Sequence, residues 1–369
     1  MKILHFLDTT NRGGAEVLTL DVCRNTAKAG LEMTFVTSKG GTMEEDFRQS
    51  GADFHKFRRS LPLDFSLVKQ LRQIIVAKQI SIVHAHQPVE ALHLYLATRK
   101  LKNVGKVLSY HGGTTLDWKN LQAAKFLIPR MDANVIVSES LKKDYGFDTK
   151  DFTVIYNGTD AARLKPSGKS LRQELNLPKD ALLIGMIGNF YAEQRKDQLT
   201  ICRALPKIFA EIPNVHCLFA GKTENGAEVK LADCKKNCAE NGIAEKVHFL
   251  GARNDIPDIL AALDLFIFSS FHEGLPIAMI EAMLAKVPLI ISDIEPLMEA
   301  SENGKYAEVF PLQNVEILSG KVLQLLKNKD LRDSLANRAF DFANEKFSIE
   351  AHLKNLKNLY EKIISSLQF

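Results

Sequence analysis

An α/β protein built of two parallel-sheet domains is predicted by three features of the sequence. Short apolar runs with strand character alternate with helical stretches along most of the 369 residues, the pattern of a parallel sheet covered by helices on both faces. The alternation restarts after Lys165-Pro166-Ser167-Gly168-Lys169-Ser170, a polar stretch with the composition of a linker. The length suits two domains of ordinary size, expected over residues 1–162 and 163–348, with a last helix over 349–369.

A hydrophobic fraction of 46% and a charged fraction of 25% are those of a soluble globular protein. No apolar run is long enough to span a bilayer. Met1-Lys2-Ile3-Leu4 enters directly into a strand pattern without the marks of a signal peptide, so a cytoplasmic location is expected. The five cysteines form no CxxC, and free thiols are expected. The net charge of +4 is uneven: residues 1–160 carry +5 and the remainder −1, and Arg58-Arg59 and then Arg99, Lys100, Lys102 and Lys106 supply much of the positive half. Such a half could face an anionic membrane surface or an acidic acceptor, or be an ordinary solvated surface. No nucleic-acid partner is expected.

In chain order, Lys2–Leu7 reads as a buried first strand. A turn through Gly13-Gly14 then opens a helix over Ala15–Ala29. Helix-start amides favour an anion, which makes Gly13 and Gly14 candidate anion-binding positions. The pair is not GxGxxG, so a nicotinamide cofactor has little support. Strands follow at Met33–Thr37, Phe54–Phe57, Ile80–Ala85, Lys106–Ser109 and Asn134–Val137, and helices at Phe65–Lys78, Val89–Lys100 and Leu121–Met131. Ligands of such sheets gather at the carboxyl ends of the strands. Val83-His84-Ala85-His86 and Ser109-Tyr110-His111-Gly112-Gly113 end two of them. His111 is the candidate for ligand contact, because the glycines after it let a backbone come close. His84 and His86 are expected to pack or to orient the site.

The second half begins with the strand pattern Leu182–Asn189, followed by a loop carrying Arg195-Lys196 and a helix through Phe209. Adjacent cations in a loop after a strand suit a diphosphate, Arg bidentately and Lys as a point charge. Strands are expected at Val215–Ala220, Lys246–Leu250, Leu263–Phe268 and Val287–Ile291. Arg253, at a strand end, is a candidate base or phosphate contact, and Asp255 a cap for the helix starting at Ile256-Pro257.

The most informative stretch is Ser269-Ser270-Phe271-His272-Glu273-Gly274-Leu275-Pro276-Ile277-Ala278-Met279-Ile280-Glu281. Gly274 is expected to free the backbone and Pro276 to occupy the first helical position, leaving the turn at Gly274-Leu275-Pro276 as an anion site at a helix start. Glu281 is the only polar or charged side chain between Pro276 and Ala285. An unpaired buried carboxylate costs several kcal/mol, roughly, and helical side chains lean toward the N-terminus. Glu281 is therefore expected to lean toward the turn that presents Glu273. Carboxylates accept hydrogen bonds from hydroxyls, so a phosphate flanked by sugar hydroxyls is the natural ligand.

This Glu-x7-Glu stretch resembles the motif of the retaining glycosyltransferases of family 4. The resemblance extends to Gly13-Gly14-Ala15-Glu16, His111, Asn157-Gly158-Thr159-Asp160 and Lys196, in family order. It implies the GT-B arrangement, two Rossmann-like domains facing across a cleft, with the last helix crossing back onto the first domain. It implies transfer of a sugar from a UDP- or GDP-sugar to a glycan or lipid-linked acceptor, with retention, in surface polysaccharide assembly at the inner face of the plasma membrane. His111, Glu273 and Lys196 would be the catalytic residues. Gly13, Gly14, Asn189, Arg195, Arg253, Gly274, Leu275, Pro276 and Glu281 would bind the donor. Asn189 stands where the family usually has Arg, with Arg195 as a possible substitute, and Lys286 stands where the family commonly has glycine. Glu299 matches a family glutamate that begins a helix. The chain has no Asp-x-Asp, so neither metal nor other cofactor is expected. The alternatives are a nucleotide-sugar epimerase of the same fold, which needs no acceptor, and a non-catalytic sugar-nucleotide-binding protein.

Overall fold

The structure is a computed structural model and describes residues 1–112, 118–143 and 148–367. Gly113, the second glycine after His111, lies outside the described residues. The chain divides into two compact units, Met1–Thr159 with Phe347–Phe369, and Asp160–Lys346.

The first unit runs β1 (Lys2–Phe6), α1 (Gly14–Asn25), β2 (Glu32–Thr37), α2 (Glu44–Arg48), β3 (Asp53–Lys56), α3 (Phe65–Lys78), β4 (Ile82–Ala85), α4 (Pro88–Thr98), β5 (Gly105–Tyr110), α5 (Trp118–Leu127), β6 (Ala133–Ile136) and β7 (Thr153–Val154). Its strands form one parallel sheet in the order β3-β2-β1-β4-β5-β6-β7. The second unit runs α6 (Leu171–Glu174), β8 (Leu182–Ile187), α7 (Gln198–Glu211), β9 (Val215–Ala220), α8 (Glu228–Glu240), β10 (Val247–Gly251), α9 (Ile256–Ala262), β11 (Leu265–Phe268), α10 (Ile277–Leu284), β12 (Leu289–Ser292), α11 (Glu295–Ala300), β13 (Glu308–Phe310), α12 (Val315–Lys327) and α13 (Lys329–Lys346). Its strands are also parallel, in the order β10-β9-β8-β11-β12-β13. The last helix, α14 (Ile349–Leu367), belongs to the first unit. It is anchored by backbone bonds from Thr159 to Phe347 (2.9 Å) and from Ile349 to Thr159 (3.0 Å).

The central strands are buried on both faces, as continuous apolar runs such as Leu265-Phe266-Ile267-Phe268 require. α14 buries Ile349, Leu353, Leu356, Tyr360 and Ile363, a three-and-four spacing that turns one stripe inward. Two strands are not legible in the sequence. β7 and β13 have two and three residues, too short for a period to register. The edge strand expected at Phe54–Phe57 sits one residue earlier, and the expected helix over Ala15–Ala29 ends as a 3-10 turn at Thr26–Ala29.

Both sheets reverse their strand order beside their first strand, between β1 and β4 and between β8 and β11. Loops leaving the carboxyl ends of such a pair diverge to opposite faces and leave a crevice, the usual ligand position in open α/β sheets.

Candidate active site

In the second unit the crevice lies between the loops after β8 and β11. Ser270 pairs with Lys196 in an isolated bridge, and the Phe271 amide donates to the Arg195 carbonyl at 2.8 Å. Asp197 caps α7 by accepting from the Thr200 amide at 3.2 Å, and its other oxygen accepts from Ser269 at 3.2 Å. These ties fix Lys196 against Glu273, and the two side chains form an ion pair. Both are mostly buried, with side chains 11% and 9% exposed. Ser270 Oγ stands 2.6 Å from Glu273 Oε1, and Lys196 Nζ lies 4.2 Å over the Phe268 ring. Burial lowers the Lys196 pKa, and the Glu273 charge opposes that shift.

The turn after Glu273 differs from expectation in two details. Pro276 is the residue before α10 rather than its first helical residue, with extended ψ of 118°. Gly274 is not among the glycines with positive φ, so a left-handed backbone does not explain it. α10 still begins directly after Gly274-Leu275-Pro276, with no side chain capping it. Glu281 is buried on α10, 6% exposed. Its Oε1 pairs with Arg163 at 2.7 Å. Arg163 sits on a single 3-10 turn, Ala161–Leu164, capped by Asp160. Arg163 is a site residue that was not among the sequence candidates. The signal was available, because a lone carboxylate in an apolar helix calls for a cation and Arg163 opens the second unit.

The other expected donor residues divide. Asn189 ties two loops together: its Nδ2 donates to Glu224 at 3.2 Å and its Oδ1 accepts from the Lys222 amide at 3.0 Å. Arg195 stacks its guanidinium 4.3 Å over the Tyr191 ring. Arg253 departs from expectation. It follows the edge strand β10, two strands away from β8, and two carboxylates occupy its guanidinium. Glu174 takes it bidentately at 2.6 and 2.9 Å, and Asp255 takes it at 2.8 and 2.6 Å. Asp255 correspondingly makes no side-chain cap to α9, which corrects the capping role expected for it. Glu299 lies in the last turn of α11, not at a helix start. Lys286 follows α10 with φ of 57°, the left-handed position that closes a helix and favours glycine. The family glycine there is a helix terminator.

In the first unit, Gly13 precedes α1 in extended conformation and Gly14 is its first residue. A Cβ on Gly13 would meet Glu16 Oε2 at 2.5 Å and push that flexible carboxyl aside. Burial raises the Glu16 pKa to about 7. At the β1/β4 switch point five histidines, His5, His84, His86, His111 and His352, line one cavity of about 10 Å³, the room one water needs. Burial holds His5 down to about 3 and His111 and His352 down to about 4, with His84 and His86 also well below the ordinary imidazole value. All five are neutral at pH 7. His111 stacks on His86, its Nε2 lies 2.7 Å from His86 Nδ1, and its Nδ1 is buried without a hydrogen-bond partner among the described residues. No group of three or more His, Cys, Asp or Glu among the described residues is arranged to hold a metal ion.

The family described as Glycosyltransferase Family 4 matches residues 12–163, and that described as Glycosyl transferases group 1 matches residues 168–342. The chain belongs to the group 1, family 4 glycosyltransferases. This glycosyltransferase is 23% identical over 371 residues to the N-acetyl-alpha-D-glucosaminyl L-malate synthase of Bacillus anthracis, covering 95% of this chain and 94% of that one. It is 23% identical to the UDP-Gal:alpha-D-GlcNAc-diphosphoundecaprenol alpha-1,3-galactosyltransferase of Escherichia coli, covering 98% and 96%. Among solved structures it resembles Anabaena HepE in complex with UDP and glucose, with a TM-score of 0.83 at 20% identity, covering 98% and 100% of the chains. That likeness gives the two-domain GT-B fold, and the relatives favour sugar transfer over the epimerase and binding-protein readings.

Proposed function

We propose that this glycosyltransferase moves a sugar from a UDP-sugar to a lipid-linked glycan, with retention and without a metal ion. The observation that carries the donor assignment is the pair of buried carboxylates in the turn before α10 and in the body of α10, each held by a cation: Glu273 by Lys196 and Glu281 by Arg163. A nucleoside diphosphate supplies what these groups lack. Arg163 occupies Oε1 of Glu281 and leaves Oε2 to accept from ribose hydroxyls. Glu273 accepts from hydroxyls of the transferred sugar. Lys196 and the backbone of Gly274 and Leu275 meet the diphosphate, with Arg195 and Asn189 on the neighbouring loop.

As the glycosidic bond breaks, negative charge grows on the leaving diphosphate. A cation and amides fixed there before reaction favour that state over the ground state. The Lys196 ammonium, short of solvent, acts more strongly than it would in water. The carboxylates are binding groups here, not the acid and nucleophile of a glycosidase. In the first unit, Gly13, Gly14 and His111 are assigned to sugar and acceptor recognition.

UDP is preferred to GDP because HepE was solved with UDP and the Escherichia coli relative is a UDP-Gal enzyme. The lipid-linked acceptor follows the same relative. Membrane association is proposed on a surface of the first unit. No described helix is long and apolar enough to cross a membrane, but Leu61, Phe65 and Trp118 are 64%, 69% and 73% exposed. Phe65 and Trp118 begin α3 and α5, and the exposed Lys119 follows Trp118 directly. Exposed aromatic rings next to cations suit an anionic interface.

The test is release of UDP or GDP from a panel of sugar nucleotides with a lipid-linked acceptor. Acceptor-dependent UDP release is expected, unaffected by chelator, and lowered by about 10²–10³ in Lys196→Ala. Turnover without acceptor, or turnover abolished by chelator and restored by a divalent cation, would refute the reading.

A further inference from the structure

The backbone of Ser270 is held from two sides. The ladder between β11 and β12 ends at Phe268 and Ile291, and Ser292 continues it with its side chain. Ser292 Oγ accepts from the Ser270 amide at 3.1 Å and donates to the Ser270 carbonyl at 3.0 Å. On the other side, the bridge between Lys196 and Ser270 is closed by two backbone bonds. The Asp197 amide donates to the Ser269 carbonyl at 3.0 Å, and the Phe271 amide to the Arg195 carbonyl at 2.8 Å. Ser270 and Ser292 are both fully buried. The Ser270 hydroxyl is therefore aimed by the end of the sheet.

That hydroxyl has one hydrogen and two close acceptors, the Arg195 carbonyl and Glu273 Oε1, each at 2.6 Å. The carbonyl already takes the Phe271 amide and, at 3.3 Å, the His272 amide, which occupy its two lone pairs. The carboxylate is charged, and a charged acceptor makes the stronger bond. The hydrogen is drawn to Glu273. Oε1 of Glu273 then receives two donors, Ser270 Oγ and Lys196 Nζ, while Oε2 makes no hydrogen bond to a described residue.

Two donors on one oxygen do what one cannot. The last torsion of a glutamate side chain is broad, and an ammonium is a point charge that does not set the orientation of the carboxylate. Hydrogens on such an oxygen lie near the plane of the group, so the Ser270 hydroxyl and the Lys196 ammonium together define that plane. The direction in which Oε2 points is thereby set.

We propose that Ser270 is a positioning residue that acts through Glu273: with Lys196 it fixes the carboxylate plane, so that Oε2 is presented in one direction to a hydroxyl of the transferred sugar. The part played by the sugar rests on the glycosyltransfer reading; the fixed carboxylate does not.

The test is Ser270→Ala in the full-length protein. The change removes one hydroxyl and strands no buried partner, since Lys196 keeps Oε1 and the two amides keep the Arg195 carbonyl; the variant should fold. Its crystal structure without ligand should show the Glu273 carboxylate in more than one orientation. A single orientation, as in the wild type, would overturn the proposal without reference to transfer. With a UDP-sugar, kcat/KM should fall roughly tenfold, the worth of one hydrogen bond to a charged group. Affinity for UDP, which lacks the sugar, should stay at the wild-type value. A loss of UDP affinity as large as the loss of kcat/KM would overturn the proposal, because a general loosening of the site moves both. So would unchanged kcat/KM with a disordered carboxylate. A wild type that turns over no sugar nucleotide would refute the transfer reading, and the orientation of Glu273 in the two crystal structures would still decide the role of Ser270.

Discussion

Arg163 and Glu281 form a nearly buried ion pair at 2.7 Å that joins the entry of the second unit to the helix proposed to hold the nucleoside. Their side chains are 18% and 8% exposed. Removing one partner of such a pair strands the other charge, which costs far more than the pair itself contributes. Arg163→Met should destabilise the second unit by about 3 kcal/mol. Arg163→Met with Glu281→Met should recover most of that loss, and neither variant should bind a UDP-sugar normally. Thermal unfolding of both variants, with and without UDP, separates the effects. Equal loss of stability in the single and double variants would show that the pair is not what holds this region.

Lys286 is the clearest case of a residue kept at a conformational cost. Its φ of 57° is strained for a side-chain-bearing residue, while the Val287 amide closes the end of α10 by donating to the Ala282 carbonyl at 2.9 Å. Lys286 Nζ lies 4.5 Å over the Phe340 ring, a contact worth about 0.5–1 kcal/mol when exposed. Lys286→Gly relieves the strain and loses that contact. Lys286→Ala loses the contact and keeps the strain. The glycine variant should therefore be more stable than the alanine variant by about 1 kcal/mol. Denaturant midpoints of the two decide it, and equal midpoints would remove the helix-terminator account.

The histidine cluster gives the first unit an acid limit. Folded pKa values of about 3 for His5 and about 4 for His111 and His352 lie below the ordinary 6.5, with burial the main cause. A group whose folded pKa is depressed binds its proton in the unfolded chain first, so stability is complete above the unfolded value and falls as pH drops toward the folded one. Between about pH 6 and pH 4 these rings take up protons in the unfolded chain before the folded one, so stability falls through that window. Glu90, raised to about 8 by burial, works in the opposite sense, favouring the folded state as pH falls from 8 toward 4.5, and offsets part of the histidine effect. Denaturant unfolding across this range should show a steep loss below pH 6. A flat profile in the wild type would contradict the buried neutral cluster.

Much of this architecture was legible because the central strands are continuous apolar runs and the two-fold restart is marked by a linker. α3 and β9 fall at their expected residues. What escaped was set by partners distant in sequence. Arg253 reads as a free cation at a strand end, but Glu174, in another element, claims it. Asp255 reads as a helix cap, and its attraction to a neighbouring guanidinium outweighs a bond to an amide. Glu281 was singled out by its isolation in an apolar helix, yet its partner Arg163 lies 118 positions earlier, beyond any periodic signal. The hydrogen bond between Tyr360 and His5 hides for the same reason, since one comes from the last helix and the other from the first strand.

The surface bearing Phe65 and Trp118 gives the last expectation. Both begin helices that run against the direction of the strands, which places their exposed rings toward the carboxyl end of the sheet, the end of the histidine site. A lipid-linked acceptor would be drawn from that side. The full-length protein should sediment with anionic vesicles at low salt and less with neutral ones, because each basic residue near an anionic surface contributes about 1 kcal/mol. Phe65→Ser with Trp118→Ser should weaken vesicle binding at least tenfold while leaving turnover of a water-soluble acceptor analogue near wild type, since neither ring is placed at the donor residues. Absence of sedimentation with anionic vesicles would remove the membrane surface from the proposal, and loss of soluble-acceptor turnover in the double variant would reassign these rings to the acceptor itself.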